Sequence, residues 1–320
     1  MDVCAGIDIG GTNTELGLVS ADGSVLWLTT FPTRSMAKPE MLLGFCTDAL
    51  RKIISEKKLV LKGIGIGAPS GNYYTGSIEH APNMPWPGII PLADMFRGAM
   101  DVPVVLTNDA NAAAIGEMFF GAAKGLRDFA VITLGTGLGS GIVTGGEVLY
   151  GHDGFAGELG HVIIEHEGRL CGCGRRGCLE TYVSATGIVN TAKEWLEFEG
   201  EPTTLKTVSQ EKIDSIMITD AAKAGDAFAM RLINYTAEKL GLALANLVAI
   251  TSPSHIFLYG GLANAGDILM NATRSYFEKS LLKNYAGKVK IEFSGLPGNA
   301  AVIGAAALAW NEKRAQSSNR

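Results

Sequence analysis

Cysteines, glycine turns and an Asn-Asp pair form three groups in this chain with recognisable chemical uses. The first is Cys171-Gly-Cys173-Gly-Arg-Arg-Gly-Cys178, three thiols in a turn-rich knuckle with His161 upstream as a fourth donor. Three thiolates and an imidazole make a closed tetrahedral zinc set, whereas an iron–sulfur cluster more typically recruits a fourth cysteine. A buried structural thiol would explain one cysteine but not three so close together. Cys4 and Cys46 fall in apolar segments and are expected to be inert. His80, His152, His166 and His255 have no usable spacing.

The second group is a pair of glycine turns, Asp8-Ile-Gly10-Gly11-Thr12-Asn-Thr14 and Leu134-Gly-Thr136-Gly137-Leu-Gly139. Residues without Cβ let backbone N–H groups approach an oxyanion, and Thr12, Thr14 and Thr136 add hydroxyl donors. Glycine also permits a tight hairpin with no ligand at all, so either turn alone stays open between the two readings. Neither fits the P-loop pattern or the strand-to-helix dinucleotide fingerprint, because strand rather than helix follows each. Asp8 ends an apolar run directly before Gly10-Gly11, where a carboxylate would hold Mg²⁺ waters beside a phosphate or merely cap the turn.

The third group is Asn108-Asp109, between a strand end and a helix start, where α/β proteins often display catalytic polar residues. The same place suits a helix N-cap, and position alone favours the cap for Asp109.

Residues 3–9, 15–20 and 24–31 are predicted strands joined by turn chemistry, and Pro39 to Lys58 a helix with proline near its start. Apolar runs at 60–67 and 102–107 have strand length. An Ala-rich helix follows from Asp109 to Phe120, and a strand at 129–134 restarts the pattern at the second glycine turn. A long helix at 226–250, a strand at 255–259, Gly260-Gly261, another helix, a strand near 289–293 and an apolar helix from 301 complete the chain. A meander followed by alternating helix and strand predicts two mixed-sheet α/β domains around a cleft. The small domain is expected over 1–112 with the last helix, about 301–320, crossing back to it. The large domain is expected over 113–300, with the knuckle.

Composition narrows the function classes. With 320 residues, 47% apolar and 18% charged, the chain can bury a sizeable core. A net charge of −5 with scattered Lys and Arg supplies no basic field for nucleic acid. Residues 240–266 are broken by polar residues and Pro253, so no segment is expected to span a membrane. Met1 leads straight into an apolar run without signal-peptide features, so the expected compartment is the cytoplasm.

Taken in order, Asp8-Ile-Gly-Gly-Thr-Asn13, Asn108-Asp-Ala-Asn-Ala-Ala113, Leu134-Gly-Thr-Gly-Leu-Gly139, Gly157-Glu-Leu-Gly-His161 and Cys171 to Glu180 resemble the ROK family of repressors and sugar kinases, and within it the bacterial glucokinases. The resemblance covers nearly the whole chain, ending with Tyr259-Gly-Gly261 and Ala301-Val-Ile-Gly-Ala305. It implies an actin-like (ribonuclease H-like) α/β fold and ATP-dependent phosphorylation of a hexose, glucose first, at its 6-hydroxyl. Carried over by position, it makes Asp109 the general base. Asn83, Asn108, Glu158, His161 and Glu180 grip sugar hydroxyls, and His161 also ligates zinc with Cys171, Cys173 and Cys178. Asp8, Gly10, Gly11, Thr12, Thr14, Thr136 and Gly137 serve ATP and Mg²⁺, with Gly260 and Gly261 near the adenosine. Relatives of this kind imply a homodimer or homotetramer.

Two positions depart from the family's common pattern: Ser70 where many members have Gly, and Ser252-Pro253 for a frequent Asn-Pro. The family's repressors carry a DNA-binding segment ahead of the core, for which a first strand at residue 3 is expected to leave no room. The rival readings are a kinase for N-acetylmannosamine, allose, mannose or fructose, and a sugar-sensing regulator without turnover.

Overall fold

The computed structural model describes residues 1–82, 84–198, 200, 202–296 and 300–318, with side chains described as far as 312. Its principal elements in chain order begin with β1 (Asp2–Ile9), β2 (Asn13–Ser20), β3 (Val25–Pro32), α1 (Pro39–Lys57) and β4 (Val60–Gly67). Then come β5 (Gly71–Asn72), β6 (Ser77–Glu79), β7 (Ile89–Ile90), α2 (Leu92–Ala99), β8 (Val104–Thr107) and α3 (Asp109–Phe120). The second half holds β9 (Phe129–Leu134), β10 (Leu138–Thr144), β11 (Glu147–Val148), α4 (Ala185–Phe198), α5 (Ser215–Lys223) and α6 (Ala227–Thr251). It ends with β12 (His255–Tyr259), α7 (Asp267–Ser280), β13 (Lys290–Phe293) and α8 (Ala300–Ser318). The chain divides into two compact units, Met1–Arg127 with Gly141–Gly157 and Gly295–Arg320, and Asp128–Ser140 with Glu158–Ser294.

In the first unit the five strands are ordered β3-β2-β1-β4-β8. The meander β1-β2-β3 is antiparallel, while β1, β4 and β8 run parallel, as the helical connections α1 and α2 require. The parallel register aligns Asp8 with Gly67 and Gly67 with Thr107, so three strand ends finish side by side. One face of this sheet is covered by α8, whose backbone comes very close: a Cβ at Gly6 or Gly65 would overlap the carbonyl of Val302 or Ala305. Across α8, α3 packs just as tightly, with Gly116 opposite Gly304. The other face buries Leu42, Cys46, Leu50, Phe96 and Leu106 in a second core.

In the second unit β9, β12 and β13 are parallel, pairing Thr133 with Tyr259 and Leu258 with Phe293. The 25-residue α6 buries Phe228, Leu232, Leu240, Leu244 and Val248 and packs against α7. Its start is capped by Asp226, which accepts from Ala229 N, and its end is Ser252 in the left-handed conformation. Sequence reading passed over α2, α4, α5 and the small sheet β5-β6-β7. The strands of the small sheet are two or three residues long, too short to show a period, whereas the three helices bury residues at helical spacing, Leu92, Ala93 and Phe96 in α2, Ile188, Thr191 and Ala192 in α4, and Ile218, Thr219 and Ala222 in α5. Among the described residues, no helix is long and apolar enough to cross a membrane.

Candidate active site

In the first unit the candidate residues gather where β1, β4 and β8 end, the edge at which parallel sheets bind ligands. Asp8 sits at the end of β1, and α3 starts at Asp109 directly after β8. A Cβ at Gly67 would lie at ordinary contact distance from both acidic residues, 3.5 Å from Asp8 Oδ1 and 3.4 Å from Asp109 Cα, so the two flank this position. Burial pushes the Asp8 carboxyl up to about 8, with the charges of Asp109 and Glu15 adding to the rise.

The helix cap is Asn108, whose Oδ1 accepts from Ala110 N at 2.8 Å. Asp109 is the first helical residue, and its Oδ1 lies 2.9 Å from the same N–H. Capping therefore does not explain Asp109 as the sequence position alone had favoured. With Oδ1 committed, Asn108 keeps its Nδ2 amide for another partner.

The first glycine turn is closed by Gly10 N donating to Asn13 O at 2.9 Å, and β2 follows it. Thr12 is exposed on this turn, but Thr14 is fully buried, its hydroxyl 2.8 Å from that of Thr33. Thr33 in turn donates to Gly10 O at 2.7 Å, so this threonine pair braces the turn from beneath. Thr33 is a residue the sequence did not single out. Asn83 lies outside the described residues. The nearby Trp86 is buried, with Nε1 donating to Met36 O.

In the second unit, the turn after β9 is closed by Gly135 N donating to Gly137 O at 3.0 Å, with Thr136 exposed at its tip. Gly260, after β12, has φ +108°, and a Cβ there would run into the Leu134 backbone. Both features require glycine: the backbone conformation is closed to other residues, and the strand ends touch. The Gly260-Gly261 bend thus stands beside the second glycine turn.

The knuckle brings His161, Cys171, Cys173 and Cys178 together, with one ligand atom from each all within 4.8 Å of one another. Cys173 and Cys178 Sγ are 3.7 Å apart, and Cys171 Sγ is 3.6 Å from His161 Nδ1. Zn–S bonds of about 2.3 Å at tetrahedral angles put ligand atoms about 3.8 Å apart, so the group fits zinc and leaves no open position. Burial pushes the Cys171 thiol up to about 12. Burial also acts on Cys173, but hydrogen bonds from Arg175, Cys171 and Cys178 outweigh it and hold that thiol down at about 6. With Nδ1 on the thiol side, the His161 ring directs Nε2 away from the metal group.

Glu180 follows the knuckle on a short 3-10 turn, and Glu158 precedes another at Leu159–His161. The Glu180 carboxylate accepts from Leu138 N at 3.1 Å and lies 3.7 Å from Cys171 Sγ. Gly160 presses against the Leu138 carbonyl, so both carboxylate-bearing segments are mounted on the first residue of β10. Arg169, unremarked in the sequence, anchors this region. Its guanidinium donates to Thr181 O at 2.7 Å, Thr191 Oγ1 at 2.9 Å and both Glu194 oxygens, and stacks over Tyr182. The Lys239–Glu165 ion pair fixes the same stretch to α6. The flanks of the knuckle are therefore held by side-chain contacts of their own. No spacing rule marks a lone arginine as such a hub.

Residues 4–312 match the profile of the ROK family. The glucokinase of Halalkalibacterium halodurans is 37% identical over 93% of this chain and 92% of its own length. That of Thermotoga maritima is 34% identical over 95% and 96%. Among solved structures, a ROK family glucokinase from Streptomyces griseus, in complex with glucose and AMPPNP, superposes with a TM-score of 0.81 at 32% identity, covering 97% of this chain and 99% of that one. The architecture is the actin-like α/β fold.

Proposed function

This chain belongs to the ROK family, and we propose that it is an ATP-dependent kinase transferring a phosphoryl group to the 6-hydroxyl of glucose. The observation that carries the reading is the parallel register Asp8–Gly67–Thr107, which sets Asp109 beside Asp8 at a glycine turn. Phosphoryl transfer asks little covalent chemistry of a protein and much positioning and charge stabilisation. Asp109 takes the proton from the attacking hydroxyl. The N–H groups at Gly11 and Gly137, with the exposed hydroxyls of Thr12 and Thr136, receive phosphate oxygens, while Gly10, whose N–H closes the turn on Asn13 O, shapes it. Thr14, being buried against Thr33, serves by holding the turn. Gly260 and Gly261 face the adenosine. Glu158, His161 through Nε2, Glu180, Asn83 and the Nδ2 of Asn108 hold the remaining sugar hydroxyls.

Asp8 fits a hydrated Mg²⁺, since a carboxylate whose charge is this disfavoured gains most from a nearby cation. When bound, the ion supplies charge neutralisation to the transferring phosphate. Zinc, in a closed four-ligand site, supplies geometry to the segment carrying His161 and Glu180.

The test is coupled ADP release with glucose, mannose, fructose, allose and N-acetylmannosamine. The expected result is turnover highest with glucose. Turnover highest with another sugar would reassign the substrate, and sugar binding without ADP release from any of them would replace the kinase by a sugar sensor.

A further inference from the structure

Gly135 and Gly137 belong to one turn, yet they differ in what surrounds them. A Cβ at Gly135 would meet nothing within 4 Å. A Cβ at Gly137 would fall on Glu180 Oε2 and stand 3.2 Å from its Cδ, and the three nearest atoms all belong to the Glu180 side chain. The Gly137 backbone is not in the left-handed region, so its conformation does not demand glycine. What demands it is the carboxylate.

We propose that Gly137 is a positioning residue for the sugar: the missing Cβ is the space in which the Glu180 carboxylate is aimed by the Leu138 N–H. The inference rests on the reading of Glu180 as a sugar ligand. The turn cannot retreat to make room, because Ala185 N donates to Gly135 O at 2.8 Å and Gly139 N donates to Thr133 Oγ1 at 3.1 Å. The backbone under Glu180 is equally fixed, with Ser184 Oγ donating to Glu180 O at 2.8 Å. On the far side of the carboxylate, Cys171 Sγ stands 3.7 Å from Oε1. A methyl group at 137 therefore moves only the flexible end of Glu180. It breaks the Leu138 N–H bond and turns the carboxylate out of line. A residue of the nucleotide turn thus sets sugar affinity before any nucleotide binds.

The experiment is calorimetric titration of the zinc-loaded protein with glucose in the absence of nucleotide. Gly137→Ala is expected to bind about 10-fold more weakly or worse, the usual loss for a misplaced charge-assisted hydrogen bond. Gly135→Ala should bind glucose like the unaltered protein. In a Glu180→Ala background, Gly137→Ala should cause no further loss, because two changes acting through one group are not additive. Unchanged affinity in Gly137→Ala beside an impaired Glu180→Ala, or an equal loss from Gly137→Ala in both backgrounds, overturns the role of Gly137 and leaves the kinase reading standing. Wild-type binding by Glu180→Ala removes Glu180 from the sugar site and both ideas with it. If Gly137→Ala does not fold, the double variant must, since the obstructing atoms are then gone; its failure to fold also overturns the inference.

Discussion

Asp8 and Asp109 stand beside Gly67, and the charge of Asp109 adds to the rise that burial imposes on the Asp8 carboxyl. Asp8 lies near the end of β1 and Asp109 opens α3 just after β8, and the parallel register of β1, β4 and β8 puts them together. Burial is the larger cause of the Asp8 rise and Asp109 the second.

That rise sets a pH dependence. Between the ordinary carboxyl value of 3.8 and about 8, the folded chain keeps a proton on Asp8 that the unfolded chain has lost. Stability therefore falls as pH rises through this window and levels off above it. Asp8→Asn removes the titration, so its Tm should decline less than the wild-type Tm between pH 5 and about 9. A magnesium–nucleotide complex should raise the wild-type Tm at high pH more than that of the variant. Scanning calorimetry at several pH values checks this, and parallel Tm curves for the two proteins would contradict it.

Asp109→Asn should leave stability within about 0.5 kcal/mol, because Asn108 carries the cap. Its kcat should fall by roughly 10² to 10⁴, the usual range for loss of a general base. Asn108→Ala should instead cost about 1 kcal/mol of stability through the lost cap. Chemical denaturation and steady-state assays on both variants separate the two roles. Near-normal turnover by Asp109→Asn would sink the base assignment.

Cys173→Ala should lose metal and loosen the 171–178 hairpin, weakening glucose binding through Glu180 while leaving nucleotide affinity at Gly10 and Gly11 little changed. Because Arg169 and the Lys239–Glu165 pair hold the flanks, the variant should remain folded with a modestly lowered Tm. Elemental analysis, melting and calorimetry on one preparation test this together. Full sugar affinity after zinc removal would refute the link.

The two departures from the family's common residues fall at left-handed backbone positions, Ser70 with φ +51° and Ser252 with φ +48°. That conformation costs a residue with a Cβ about 1–2 kcal/mol, which Gly avoids and Asn tolerates through local hydrogen bonding. Ser70→Gly and Ser252→Asn should each stabilise the protein by about 0.5–1 kcal/mol with activity unchanged, since part of the relief is offset in the unfolded state. Equal or lower midpoints in urea would show that the serines are already accommodated.

Features that depend on neighbours along the chain are legible in the amino-acid sequence. The knuckle was legible because its three cysteines lie within one short loop, and thiolate spacing of that kind has few structural uses. Both glycine turns read correctly as strand, turn, strand, because turn chemistry and strand period are local signals. Features made by contacts across long separations are not legible there. Gly6 and Gly65 look like weak strand residues until α8 is seen to rest its backbone on them. Asp109 reads as a cap until Asn108 is found doing that work, and as a member of a pair only once β4 stands between it and Asp8. Arg169 and the Leu138–Glu180 bond carry no mark in the sequence at all. A parallel register and a helix docked from the far end of the chain are set by packing and by closing long loops, and neither leaves a periodic trace near the residues it brings together.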